Sequence, residues 1–223
     1  MSDPAAYLER LPFWEHLDAG ERAFALRNTG LRRAAKGSLI YSRDCACVGL
    51  VYVVSGAVRV YSLSPEGREI TLLRLGEGEP CVLSAACVVD RISFDTHMET
   101  ETDSVLLVLN AEAFRTITDG NIYARCFMYE QAAQSFSTVM RTMESILFDR
   151  FDSRLAGFLL EEAERTGSNA LRLTQSMVAE KVNSAREVVA RQLKSFAKQG
   201  FVKTERGIIT VADAEGLRGM VRK

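Results

Sequence analysis

The chain has 223 residues, of which 47% are apolar and 26% charged, and five are cysteines. That is the composition of an ordinary globular protein with room for one large domain or two small ones. No apolar run approaches the ~20 residues of a membrane helix, and five cysteines in a reducing compartment make a disulfide framework unexpected. The start, "MSDPAAYLERLPFWEHL", has no basic segment followed by an apolar one. No signal peptide is therefore expected, and the cytoplasm is the expected location.

The formal net charge of −1 hides an asymmetry. Residues 1–149 hold 14 Lys and Arg against 20 Asp and Glu, whereas residues 150–223 hold 14 against 9. Within 181–206 there are seven cations and two anions. A basic end on a near-neutral chain points to a polyanionic partner. The alternative is a merely solvated face.

In chain order, residues 1–36 read as short helices, with Pro12 interrupting the first. From Gly37 to about Leu109 short β-branched runs alternate with glycine: "SLIY", "GLVYVVSG", "AVRVYSLS", "EITLLRLG", "PCVLSAA", "SFDTHMET", "SVLLVLN". "SPEGRE" is a hairpin turn, with Pro65 at its first bend and Gly67 at φ > 0. So many short strands predict a small antiparallel barrel or roll. A long helix is predicted over about 111–148. In it Tyr129, Ala132, Phe136, Val139, Met143 and Ile146 recur every 3.5 residues, the spacing of a two-stranded seam. Spacing alone leaves two alternatives, a dimer seam or a stripe packed on the chain's own roll. The length of the helix favours the dimer. Asp152 is the expected N-cap of the next helix, and Gly167 its end.

"LTQSMVAEKVNSAREVVARQLKSFAKQG" then reads as helix, turn, helix. Thr174 and Ser184 are the expected N-caps, and Asn183 the turn residue. Val189, Leu193 and Phe196 form a buried stripe, and Glu187, Arg191, Lys194 and Lys198 lie opposite it. "FVKTERGIITVAD" adds two short strands around Arg206-Gly207, a wing. The whole is a winged helix-turn-helix, whose second helix enters the DNA major groove. Each polar residue also has a bland account. Ser184 and Glu187 fit a capping box, and Glu187 and Arg191 fit a surface i,i+4 pair. Taken together they read as a groove-facing surface. Arg186, Glu187 and Arg191 are the expected base contacts. Thr174, Ser184, Lys194, Lys198 and Arg206 are the expected phosphate contacts.

The predicted chain is thus α+β: residues 1–110 as N-terminal helices and antiparallel β-roll, 111–149 as dimerisation helix and hinge, and 150–223 as winged helix-turn-helix. Over nearly its whole length this resembles the CRP/FNR family of bacterial transcription regulators. "VVSGAVRVYSLSPEGREITLLRLGEGE" is similar to the family's roll, "RLAGFLLEE" to the start of its DNA-binding domain, and "AREVVARQLKSFAKQG" to its recognition helix. The resemblance implies a cyclic-nucleotide-binding-like roll and a homodimer on a palindrome in double-stranded DNA. It also implies RNA polymerase as a partner. In the cyclic-AMP-responsive branch an Arg-Glu pair and a second Arg four residues on contact bases. The matching residues are Arg186, Glu187 and Arg191, so half-sites like TGTGA are expected. The same branch holds the cyclic phosphate with Arg-Ser and the ribose with Gly-Glu. Those positions fall on Ser93 and Phe94, and near Val82 and Leu83, so no response to cyclic AMP is expected. Arg91 is the residue that would substitute for the missing arginine.

The effector is otherwise open. Cys45, Cys47, Cys81 and Cys87 lie in the predicted roll. They are small buried hydrophobes, a thiol switch, or ligands of an iron–sulfur cluster or metal. The FNR branch draws its cluster ligands from before the roll, where this chain has no cysteine. No catalytic residue and no metal site is predicted. His16 and His97 are the only histidines, too few and too far apart for a barrel metalloenzyme. A roll that binds only another protein is the remaining class.

Overall fold

The computed structural model describes residues 3–42, 48–65, 67, 69–83 and 96–221. Its described residues divide into two compact units, 1–140 and 141–223, with the division inside a continuous helix. The amino-terminal unit starts with α1 (Ala5–Leu8), a 3-10 turn (Trp14–His16) and α2 (Ala19–Arg27). Asp18 caps α2 in a reciprocal capping box with Glu21. Residues 29–34, expected to be helical, form strand β1 (Thr29–Ala34) instead. It is an edge strand that buries only Ala34 fully, so it carries little of the alternation that betrays a strand.

Two four-stranded sheets follow among the described residues. One has the order β1, β8 (Ser104–Leu109), β3 (Leu50–Ser55), β6 (Pro80–Cys81). The other has the order β2 (Leu39–Tyr41), β7 (His97–Thr100), β4 (Val58–Leu63), β5 (Glu69–Leu75). All pairings are antiparallel, as the strand pattern predicts. Gly67 adopts φ +78° and donates to Ser64 O at 2.9 Å, closing the expected hairpin. Val51, Val53, Val58, Val60, Leu73, Met98 and Leu106 form the core between the sheets. The alternate residues of the first sheet, Leu50, Tyr52, Leu107 and Leu109, pack with Trp14, Phe114 and Phe127 of the helices. Strand β3 is therefore apolar on both sides, which explains its unbroken "LVYVV".

The predicted long helix is two helices, α3 (Ala111–Gly120) and α4 (Ile122–Phe148). Asn121 breaks it with extended backbone, and its side-chain oxygen caps α4 by accepting from Tyr123 and Ala124 N–H. Its amide also donates to His16 O at 3.0 Å, tying the start of α4 to the N-terminal turn.

The second unit contains α5 (Phe151–Thr166), β9 (Ala170–Leu171), α6 (Gln175–Lys181) and α7 (Arg186–Lys198). They are followed by β10 (Val202–Glu205), β11 (Ile208–Val211) and α8 (Ala214–Met220). The N-cap of α5 is Arg150 rather than Asp152, which lies inside the first turn and pairs with Arg150 at 3.0 Å. Gly167 ends α5 in the left-handed conformation, as expected. Leu155, Leu159, Val178, Val189, Leu193, Phe196, Val202, Ile209 and Leu217 make one closed core. Among the described residues no helix is long and apolar enough to cross a membrane.

Candidate nucleic-acid interface

The surface is built on α6 and α7, and the chain geometry between them is specific. Thr174 caps α6 by accepting from Met177 N–H at 3.2 Å. Asn183 then takes φ +51°, the left-handed turn expected of it. Ser184 N–H donates back to Ala179 O at 2.9 Å, the six-to-one bond of a Schellman motif. Ser184 thus closes α6 and does not open α7, correcting the expected cap. The N-cap of α7 is Ala185, with extended backbone and no side-chain cap. Glu187 becomes the second helical residue, so the Ser184–Glu187 capping box has no geometric basis.

The far end of α7 is fixed by a second Schellman motif. Gly200 adopts φ +81°, and Phe201 N–H donates to Phe196 O at 3.0 Å. The Phe196 and Phe201 rings meet edge-on with centroids 6.0 Å apart, the apolar contact that accompanies this motif. Val189, Leu193 and Phe196 are buried against the core, so the roll angle of α7 is set by its apolar stripe. Arg186, Glu187, Arg191, Lys194 and Lys198 are all exposed.

Their bonding state is the informative observation. Among the described residues none of these five side chains makes a hydrogen bond or ion pair with the protein. The i,i+4 pair of Glu187 and Arg191 does not form. On the wing, Gly207 turns at φ +77°, and Lys203 and Arg206 are exposed and equally free among the described residues. Arg172, which the sequence pattern does not single out, is exposed without a partner among the described residues two positions before the α6 cap. Lys181 differs: it is half-buried, and its charge acts on Glu162. The Glu162 carboxyl is held below its ordinary value first by hydrogen bonds from Arg165, with the Arg165 and Lys181 charges adding to this.

The predicted seam residues are not all on one surface. Tyr129, Phe136 and Met143 are exposed, Phe136 by 66%. Ala132 instead packs on the cluster beneath the N-terminal helices, and Val139 on the core between the two sheets. Ile146 is half-buried. The exposed residues at steps of four and three are Ile122, Cys126, Tyr129, Ala133, Phe136, Met140, Met143 and Leu147. Both stripes share the 3.5-residue period and three of their members.

Of the candidate effector residues, Cys81 is buried at 1% exposure with the roll core. Cys45, Cys47, Cys87 and Arg91 lie outside the described residues, as do Ser93 and Phe94. Val82 and Leu83 are buried among apolar side chains. No group of His, Cys, Asp and Glu among the described residues is arranged to hold a metal ion.

An antiparallel roll joined by a long helix to a winged helix-turn-helix defines a DNA-binding regulator with a sensory domain. Residues 31–121 match the model of the cyclic nucleotide-binding domain, and residues 153–220 that of the Crp-like helix-turn-helix domain. The structure of a Crp/Fnr-family protein from Eubacterium rectale is similar, with a TM-score of 0.90 and 36% identity over 96% of this chain and 100% of that one. The cAMP-activated global transcriptional regulator CRP of Haemophilus influenzae is 25% identical over 187 residues, 81% of this chain and 82% of that protein. Transcriptional regulator SdrP of Thermus thermophilus is 26% identical over 172 residues, 74% of this chain and 80% of that protein. The chain belongs to the CRP/FNR family, and it is a transcription regulator with a helix-turn-helix DNA-binding domain, not an enzyme.

Proposed function

We propose that two copies of the protein pair along α4 and read a palindrome with TGTGA-like half-sites. Control comes from a signal, other than cyclic AMP, received in the roll. The observation that carries the DNA reading is the unbonded state of Arg186, Glu187, Arg191, Lys194, Lys198 and Arg206 among the described residues. A helix that only folds gains a few tenths of a kcal/mol by pairing Glu with Arg at i,i+4. Here the two are left apart, as a surface that bonds elsewhere requires. Arg186 and Arg191 match guanine O6 and N7, and Glu187 matches cytosine N4. Thr174, Ser184, Lys194, Lys198 and Arg206 hold phosphates.

The exposed stripe of α4, from Ile122 to Leu147, supports pairing with a second copy. RNA polymerase, by family resemblance, is the further partner, and the cytoplasm the place of action. The match to a cyclic nucleotide-binding domain supports a small-molecule effector. Cys81 is buried with the roll core and the other three roll cysteines lie outside the described residues, so the thiol and iron–sulfur alternatives rest on the sequence. Selection from random duplexes, followed by gel shift and sedimentation, tests the whole reading. The expected outcome is a symmetric site with half-sites about one helical turn apart, bound by a dimer. Selected DNA without symmetry, or binding by a monomer, overturns it.

A further inference from the structure

We propose that the outer face of the second sheet holds a binding site for a small oxyanion, a phosphate or carboxylate group, whose place the side chain of Glu69 occupies. The inference goes beyond the DNA reading and is tested without DNA. Along β4, Val58 and Val60 point into the core between the sheets. Arg59 and Tyr61 therefore point to the opposite side. Arg59 lies directly across from Arg74 of β5 and from Glu99 of β7, and Tyr61 lies across from His97 of β7. The Arg59 side chain is only 7% exposed, and an arginine is seldom so buried without partners. Its guanidinium lies over the Tyr61 ring, 4.3 Å from the centroid, and that ring stacks with His97 at 5.2 Å.

Two like charges directly opposite on neighbouring strands are destabilising unless anions compensate them. Three carboxylates do so here. Glu69 and Glu99 contact Arg59 at 2.7 and 3.4 Å, and Glu101 contacts Arg74 at 3.1 Å. Even so, Nη2 of Arg74 and Nδ1 of His97 are buried with no hydrogen-bond partner among the described residues. Buried polar atoms almost always have one. The two flank Arg59 from the strands on either side, and each can donate, so what the face lacks is an acceptor. Charge decides how an acceptor enters. Arg59 and Arg74 are already outnumbered by three carboxylates, so a further anion is admitted only in exchange for one of them. Glu69 is the one placed to leave. Its side chain is 42% exposed, against 25% for Glu99 and 11% for Glu101. Its 2.7 Å contact with Arg59 lacks the alignment of a hydrogen bond, whereas Glu99 is also bonded by the Tyr61 side chain. A partly exposed ion pair is weak, so returning Glu69 to water costs little. An incoming oxyanion replaces that pair with an aligned, charge-assisted one.

The test is calorimetry of the full-length protein with inorganic phosphate and with succinate, at one ionic strength held by sodium chloride. Saturable binding of at least one probe is expected, and the probe that binds separates a phosphate from a carboxylate ligand. Glu69→Gln should bind that probe about tenfold more tightly, the gain expected if the carboxylate occupies the guanidinium about nine-tenths of the time. Glu9→Gln, which removes an exposed carboxylate elsewhere, should leave the affinity unchanged. Arg59→Gln should not bind. A gain of affinity cannot come from misfolding, so Glu69→Gln decides the matter even if Arg59→Gln does not fold. No saturable binding of either probe to Glu69→Gln, or equal affinity in Glu69→Gln and wild type, overturns the inference. So does binding retained by an Arg59→Gln variant that melts at the wild-type temperature.

Discussion

Arg186 and Arg191 differ from Lys194 in what their loss should do. Arg186→Ala or Arg191→Ala should cost roughly 1–3 kcal/mol at the selected site and relax preference at one base position. Lys194→Ala should weaken binding to all sequences alike and lower the salt slope by about one. Gel shifts on the selected and on scrambled duplexes at several salt concentrations separate the two. Arginine variants that lose affinity equally on scrambled DNA would make those residues phosphate contacts. A second residue-scale effect concerns stability. Arg165 holds the Glu162 carboxyl below its ordinary 4.5, so the folded state favours the ionised form. A depressed folded pKa stabilises above the unfolded value, and the gain is lost as pH falls through the folded value. Arg165 is largely exposed, which limits the effect to at most about 1 kcal/mol. Urea midpoints should therefore show Glu162→Gln less stable than wild type at pH 7, with the difference gone once the carboxyl is protonated. A difference that persists at the acid end of the titration, with the carboxyl protonated, would assign it to packing rather than charge.

Among elements, α4 carries the clearest test, because its two apolar stripes have different neighbours. Phe136→Glu places a charge on the exposed stripe and should turn dimer into monomer in sedimentation while leaving the melting temperature of the roll nearly unchanged. Val139→Glu places a charge against the core between the sheets, where burial without a partner costs a few kcal/mol. It should lower the melting temperature instead. A dimer that survives Phe136→Glu puts the interface elsewhere. The same helix shows where sequence pattern runs out. A 3.5-residue period identifies a stripe, but α4 is apolar on the side that packs on the roll and also on an exposed side. Tyr129, Phe136 and Met143 fit either, and only the fold sends Ala132 and Val139 inward. Most roll strands were legible because Val51, Val53, Val58 and Val60 leave a clear pattern, whereas the edge strand "TGLRRA" leaves almost none. In the helix-turn-helix, Asn183 was legible from the conformation it tolerates. The role of Ser184 was not. A serine before a helix reads as a cap, yet the left-handed Asn183 commits the next N–H to the preceding helix.

At the scale of the whole molecule the open question is which signal reaches the roll, and one answer can be excluded by experiment. The Haemophilus influenzae relative is by name activated by cyclic AMP, but at 25% identity the ligand does not transfer without the residues that hold it. The resemblance places the ribose-binding Gly-Glu pair near Val82 and Leu83, and both side chains are buried in apolar clusters. No carboxylate is available at either position to accept from a ribose hydroxyl. Where the resemblance places the phosphate-binding pair, the sequence has Ser93 and Phe94, with Arg91 two residues earlier. A phosphate anion taken out of water without a guanidinium partner loses several kcal/mol of solvation. An arginine at 91 would offset part of that loss and would leave the ribose unbonded. The expected result is therefore no saturable heat in calorimetry with cyclic AMP or cyclic GMP up to millimolar concentration, and no change in affinity for the selected palindrome. The second measurement matters because a ligand alters DNA affinity only by binding the two states of the protein unequally. Micromolar binding abolished by Arg91→Ala would make Arg91 the phosphate ligand and return the protein to the nucleotide-responsive branch. Micromolar binding that survives Arg91→Ala would also overturn the exclusion, and would place the nucleotide outside the pocket the resemblance implies.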